Sequence, residues 1–122
     1  MADNVNHPAH YAPKYDTRPL ECIDITRHMS FLLGNAFKYV WRAGDKGDND
    51  KAVEDLNKAE FYLRDANRNE LMRTNDIAKY LFEQMESDGS TRYYALRNIV
   101  YGEFEQAMTL IEHMKKDFAD AH

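Results

Sequence analysis

The sequence has few residues that form cross-links or interrupt helices, and it has no long apolar run that could insert into a membrane. Its 122 residues include one cysteine, three prolines and five glycines. A single cysteine excludes an intramolecular disulfide and a cysteine zinc cluster, and it favours a reducing compartment. No apolar run approaches the length of a membrane span, and the N-terminus is polar. We therefore expect a cytoplasmic protein with no membrane partner.

Most motifs that identify enzymes are also missing. The sequence contains no GxxxxGK[ST] loop, no GxGxxG after a strand, no HExxH and no plausible triad around the cysteine. The net charge is −5, which argues against binding to duplex nucleic acid or to an anionic membrane. A small anionic ligand is still compatible with this charge, because a local cationic cluster can form on an acidic chain.

The hydrophobic pattern predicts an all-α protein, a small bundle of about five helices. All three prolines lie in residues 1–19, which should form an extended N-terminal arm. Apolar residues at spacings of three and four predict helices over residues 20–29, 31–43 and 50–69, a fourth that begins after Thr74 or Asn75, and a fifth over residues 93–118. Capping residues Ser30, Asp48 or Asn49, and Gly44 support these boundaries. We divide the chain into the arm at 1–19, a helical domain at 20–70 and a C-terminal helical hairpin at 71–122.

The apolar stripe of the last predicted helix runs from Tyr93 to Phe118 with Gly102 as its one weak position. A stripe of that length is more than one hairpin needs to bury, so we expect it to meet a second copy of the chain. The sequence therefore predicts a homo-oligomer held by residues 71–122.

Polar side chains recur at helical spacing along the second predicted helix. Asn35, Lys38, Tyr39 and Arg42 fall at i, i+3, i+4 and i+7, and Lys46 follows in the turn after Gly44. Lysine and arginine side chains in this arrangement favour an anionic ligand such as phosphate. The alternative is a solvated cationic face of an ordinary helix.

Acidic residues on the first and third predicted helices can converge with this stripe if the helices form a bundle. Glu21 and Asp24 lie on the first helix, and Asp55 lies near Lys58 on the third. Carboxylates of this kind can hold Mg²⁺ that bridges to phosphate. An internal network of ion pairs between the helices is the alternative. In the arm, His7, His10 and Tyr11 can contact a ligand or pack on the helices, and two histidines alone rarely form a metal site.

The order and the amino-acid sequences of these segments resemble those of the SaV-like family of bacteriophage proteins over about residues 5 to 68. The shared pattern consists of HPAHY in the arm, ECID in the first helix, GNAFKYVWRAGDK in the second and DLNKAEFY in the third. The motif residues that match are His7, His10, Tyr11, Glu21, Asp24, Gly34, Asn35, Lys38, Tyr39, Arg42, Gly44, Lys46, Asp55, Leu56, Lys58, Ala59 and Tyr62.

The resemblance implies a phage nucleotide-binding protein in the host cytoplasm, and a characterised member of the family is a kinase of deoxynucleoside monophosphates. Lys38, Arg42 and Lys46 would then bind phosphate. Glu21, Asp24 or Asp55 would hold Mg²⁺. The nucleotide would further contact His7, His10, Tyr11, Asn35, Tyr39 and Lys58. Two other hypotheses stay open: a non-catalytic protein that sequesters a nucleotide or nucleotide signal, and a module that binds a host protein.

Overall fold

A computed structural model describes residues 19–121 of the chain. This part contains six helices and no strand, so the all-α prediction is confirmed with one helix more than the predicted five. The helices are α1 (Cys22–Thr26), α2 (Phe31–Arg42), α3 (Asn49–Arg68), α4 (Asp76–Glu83), α5 (Thr91–Val100) and α6 (Phe104–Asp120). Within these residues no helix is both long and apolar enough to cross a membrane.

Four helices begin at side-chain caps. Ser30 Oγ accepts a hydrogen bond from the Leu33 amide at 3.3 Å, and the caps of α3, α4 and α5 are Asp48, Asn75 and Ser90. Each of these oxygens satisfies a backbone N–H that has no partner inside its helix. The predicted cap of α2 is confirmed, and the predicted pairs of candidates for α3 and α4 resolve to Asp48 and Asn75.

The first helix is shorter than predicted. Its α-helical part covers Cys22–Thr26, whereas the periodicity predicted residues 20–29. The amides of His28 and Met29 donate to the carbonyls of Ile25 and Thr26, at 3.1 and 2.9 Å. These are bonds between residues three apart, which tighten the chain and end a regular α-helix.

The predicted continuous helix over residues 93–118 is wrong, because the chain turns at Gly102. Gly102 has φ 71°, a left-handed conformation that a glycine adopts without steric cost. The Glu103 amide donates to the Asn98 carbonyl at 2.8 Å, and the Gly102 amide to the Ile99 carbonyl at 3.1 Å. This pair of bonds is a Schellman motif, which ends α5 and allows α6 to fold back against it.

The hydrophobic core is shared by both halves of the chain. It joins side chains of α2 and α3 to those of α4, α5 and α6, and its largest fully buried members include Phe37, Leu63, Phe82, Ile99 and Ile111. The α6 stripe lies inside this core, because α6 packs on both α3 and α5. Our argument that the stripe needs a second copy to cover it is therefore wrong.

Helix α3 packs against both α2 and α6. Ala52, Ala59 and Ala66 recur every seven residues along α3 and are fully buried. Residues seven apart lie on the same face of a helix, and small side chains there allow a neighbouring helix to approach closely. On the α6 side, Lys115 Nζ lies 2.8 Å from the buried Glu60 carboxylate. The α2 side carries the polar residues described next.

Candidate functional site

A cleft opens where α2 ends and α3 begins. It is lined by Arg42, Asp45, Lys46, Lys51 and Asp55, and its volume is about 350 Å³. Arg42 lies in the last turn of α2, Asp45 and Lys46 in the connecting turn, and the other two in α3. The polar faces predicted for the two helices therefore meet at this cleft.

Asp55 is the buried carboxylate of the cleft, and two of the cations contact it. The residue is only 2% exposed, and its Oδ1 accepts from Lys51 Nζ at 2.7 Å and lies 3.5 Å from Arg42 Nη2. The hydrogen bond to Asp55 raises the pKa of Lys51, because it stabilises the ammonium form. A buried carboxylate requires such partners, so these contacts join α2 to α3 electrostatically.

Tyr39 lies one helical turn before Arg42 and is surrounded by cations. Arg42 Cζ, Lys38 Nζ and Lys58 Nζ lie 4.7, 4.9 and 5.5 Å from the centre of its ring. The ring also lies parallel to that of Tyr62 on α3, with centroids 6.0 Å apart and an interplanar angle of 8°. Arg42 thus contacts both the charged cleft and an aromatic pair.

Most of the predicted residues in the described part lie at this one place: Lys38, Tyr39, Arg42, Lys46, Asp55 and Lys58. Asn35 belongs to the same helix, but its Nδ2 donates to the Phe31 carbonyl at 2.8 Å. Its amide nitrogen is therefore bonded to its own helix. The predicted arm residues His7, His10 and Tyr11 lie outside the described residues.

The predicted carboxylates do not form a single cluster. Among residues 19–121, no three His, Cys, Asp or Glu side chains are placed to hold a metal ion together. Asp24 accepts from the Glu21 amide at 2.8 Å at the start of α1, so one of its oxygens caps that helix. Glu21, Asp24 and Asp55 therefore do not form one three-carboxylate site, and the prediction that one of them holds Mg²⁺ stays a prediction.

Two residues that line the cleft, Asp45 and Lys51, were not singled out by the sequence pattern, and neither was Arg92, which contacts Asp45 from outside the cleft. Lys51 lies four residues before Asp55, so the spacing of the α3 polar face was a signal that could have identified it. Arg92 of α5 gave no such signal. Its guanidinium donates to the Ala43 carbonyl, and its Nη1 lies 3.8 Å from Asp45 Oδ1. Arg92 therefore holds the turn that carries Asp45 and Lys46, across 49 residues of sequence.

The fold and the cleft define a class of small helical bundle with a cationic site between two neighbouring helices. Residues 5–64 match the model of DUF3310, a protein family of unknown function, so the chain contains a DUF3310 domain. The match includes α1, α2, most of α3 and every residue that lines the cleft. No curated protein and no solved structure matches the chain.

Proposed function

We propose that this protein binds a nucleotide, with the phosphate group in the cleft and the base or sugar near Tyr39. The observation that carries the proposal is the position of Arg42, whose guanidinium lies 4.7 Å from the Tyr39 ring centre and lines the cleft. A nucleotide combines a flat ring with an anionic group, and Arg42 lies next to suitable contacts for both.

The charges of the cleft support an anionic ligand. Three cations line it, Arg42, Lys46 and Lys51, against two carboxylates. Asp55 is already bonded to Lys51, and Asp45 has Arg92 within 3.8 Å. Within residues 19–121 Lys46 forms no ion pair of its own, so its ammonium is available to a phosphate oxygen.

The size of the cleft favours one ligand over two. Ligand pockets usually measure roughly 300–1,000 Å³, and the volume of about 350 Å³ is near the lower end of that range. A phosphoryl transfer needs a donor and an acceptor at the same time. We therefore rank binding of a single nucleotide first, and a sequestering role needs no more than this.

Phosphoryl transfer is the second candidate, and the SaV-like order of the motifs is the observation that favours it. The reaction implied by that resemblance moves a phosphoryl group from a nucleoside triphosphate to a deoxynucleoside monophosphate. Mg²⁺ usually takes one or two carboxylates together with substrate phosphates, and Asp55 fits such a donor set. When bound, the ion would neutralise phosphate charge beside Arg42 and Lys46.

Calorimetric titration with deoxynucleoside mono- and triphosphates, with and without Mg²⁺, tests the binding proposal. Arg42→Ala should weaken nucleotide affinity about tenfold to hundredfold, since a hydrogen bond to a charged group contributes roughly 1.5–3 kcal/mol. Lys38→Ala should weaken it less, because Lys38 contacts the ring and does not line the cleft.

The chain supplies a matched control for Arg42. Arg97 Cζ lies 4.7 Å from the Tyr101 ring centre, the same distance as Arg42 from Tyr39, yet Arg97 is outside the cleft. Arg97→Ala should therefore leave nucleotide affinity unchanged. Equal losses in both variants would show that the effect is not local to the cleft. No nucleotide binding by the unmodified protein would contradict the proposal and favour a host-protein interaction module.

Asp55→Asn separates a magnesium role from a purely structural one. Without Mg²⁺ the substitution should leave nucleotide affinity unchanged or raise it, because a negative charge leaves the cleft. With Mg²⁺, any affinity that the ion adds should be lost. The free energy of unfolding should fall by about 1–3 kcal/mol, because the hydrogen bond from Lys51 to residue 55 loses its charged acceptor. The loss should not be larger, because the Arg42 and Lys51 side chains can still be solvated by water.

Asp45→Asn is the control for that variant, because it removes an equal charge from an exposed carboxylate of the same cleft. If the two variants respond alike to Mg²⁺, Asp55 is not a ligand of the ion. Chromatographic detection of the deoxynucleoside diphosphate that forms when ATP donates its γ-phosphoryl group to each deoxynucleoside monophosphate decides the kinase question. Tight binding without product assigns the sequestering role.

A further inference from the structure

An exposed aromatic surface continues from the cleft along α2 and α3. Its four rings belong to Phe31, Tyr39, Phe61 and Tyr62. Phe31 is 74% exposed and Phe61 is 64% exposed, and neither side chain belongs to the hydrophobic core of the bundle. Large apolar side chains that stay in water as a contiguous group mark a binding surface more often than isolated ones do.

The four rings form a connected series. Phe31 and Phe61 meet the Tyr62 ring edge-on, with centroids 6.1 and 5.5 Å from it, and Tyr62 lies parallel to Tyr39. Lys38, Arg42 and Lys58 surround the Tyr39 end, where the cleft begins. One end of the series is therefore exposed and apolar, and the other is cationic.

From this arrangement we infer that α2 and α3 bind single-stranded nucleic acid, with bases on the exposed rings and the backbone along the lysines and Arg42. Proteins that bind single strands combine these two features, a cationic track and aromatic side chains on which successive bases stack. A duplex would keep its bases stacked on each other and unavailable to Phe31 and Phe61. The inference extends the proposed nucleotide site, since the strand would place one phosphate in the same cleft.

The charges around the rings favour this occupant over a second copy of the chain. A symmetric dimer would bring the same surface onto itself, so Lys38, Arg42 and Lys58 would approach their own copies. The carboxylate nearest to Lys58 is Glu54, which lies 3.5 Å from both Lys58 and Lys51. Five cations, Lys38, Arg42, Lys46, Lys51 and Lys58, therefore share the carboxylates Asp45, Glu54 and Asp55, and the excess is positive.

Fluorescence anisotropy with labelled 12-nucleotide oligothymidylate and oligouridylate, on the full chain, tests the inference. The competitors are thymidine monophosphate and a 12-base-pair duplex. The oligonucleotides should bind at least tenfold more tightly than the monophosphate or the duplex. Phe31→Ala and Phe61→Ala should each weaken oligonucleotide binding roughly fivefold to hundredfold, the range that loss of base stacking usually gives. Neither variant should change the affinity for the monophosphate.

Tyr94→Ala is the matched control, because Tyr94 is also an exposed aromatic residue but lies on α5 and lines a different groove. It should leave oligonucleotide affinity unchanged. Lys38→Ala should make the slope of log affinity against log salt concentration less negative by about 0.7, the loss of one phosphate contact to a single strand.

Several outcomes would overturn the inference. One is an oligonucleotide that binds no more tightly than the monophosphate, which leaves the proposed nucleotide site intact. A second is an equal loss in the Tyr94→Ala control. A third is a parent protein that self-associates through these rings, with Phe31→Ala releasing monomers and leaving oligonucleotide binding unchanged. Oligonucleotide binding without monophosphate binding would instead contradict the proposed function and leave this inference standing.

Discussion

A polar side chain on a helix can be solvated or buried, and residue spacing alone does not distinguish these two cases. Asp55 and Asp65 both lie on α3 among charged neighbours. Asp55 is buried against Lys51 and Arg42, whereas Asp65 is partly exposed and accepts from Asn69 Nδ2 at 2.7 Å. The sequence predicted that Asp55 faces α2. The depth of its burial depends on how closely α2 packs, which no local pattern specifies.

Cys22 gives a prediction at the scale of one residue. Burial raises the pKa of its thiol from 9.0 to about 11, despite the opposing charge of Lys38. At pH 8 the reactive thiolate should therefore be roughly a hundredfold scarcer than in the unfolded chain. We expect a colorimetric disulfide reagent to modify native Cys22 at about one hundredth of its rate in guanidinium chloride.

The rate for native Cys22 should also rise about tenfold per pH unit up to the raised pKa, because the thiolate fraction does so. The unfolded chain should level off about two units earlier. A native thiol that reacts as fast as the unfolded one would contradict the partial burial of Cys22 at the start of α1.

At the scale of elements, the local signals predicted where helices begin better than where they end. Ser30 and Asp48 are caps whose chemistry acts on the next three residues, so sequence alone suffices to identify them. The break at Gly102 was missed because Val100 and Phe104 are four residues apart, as they would be in one helix. Only the backbone conformation of Gly102 distinguishes the turn from a continuous helix.

Gly44 ends α2 and positions the turn that carries Asp45 and Lys46. Its φ is 89°, and a Cβ added there would lie 2.7 Å from the Phe118 ring. Gly44→Ala should therefore incur two costs, a left-handed conformation of about 1–2 kcal/mol and displacement of Phe118 from the end of α6. We expect a total loss of about 2–4 kcal/mol in the free energy of unfolding, measured by urea denaturation.

Gly89 separates these two costs. It has φ 72°, but an added Cβ would meet no atom within 4 Å. Gly89→Ala should thus lose only the conformational part, about 1–2 kcal/mol. If Gly44→Ala is no more destabilising than Gly89→Ala, then the Phe118 ring does not pack against residue 44 as described. In the expected case, Gly44→Ala should also weaken nucleotide binding, because the turn moves.

At the scale of the whole molecule, the apolar stripe shows what the sequence pattern left undetermined. The pattern identified the buried residues of the C-terminal half, and Leu96, Val100, Ala107 and Ile111 are indeed core residues. It did not identify their partners, because a stripe of the same composition can meet its own chain or another. Once the chain turns at Gly102, α3 and α5 are long enough to cover α6. Homo-oligomerisation stays a proposal.

Replacement of Ile111 decides whether the stripe belongs to the core of one chain. Ile111 is fully buried among α3, α5 and α6, so a lysine there would bury an unpaired charge. We expect Ile111→Lys to abolish the cooperative thermal transition in circular dichroism. Ile111→Ala should lower the free energy of unfolding by about 2–5 kcal/mol through the cavity that it leaves.

Ile23→Lys is the control, since it makes the same substitution at a residue of α1 that is 54% exposed. It should change stability by no more than about 0.5 kcal/mol, as surface substitutions usually do. Light scattering on all three variants completes the test. If Ile111→Lys instead gave a folded monomer from a larger parent assembly, the stripe would be a subunit interface. That result would also require α6 to leave α3, since one face of α6 cannot pack on α3 and on a second chain together.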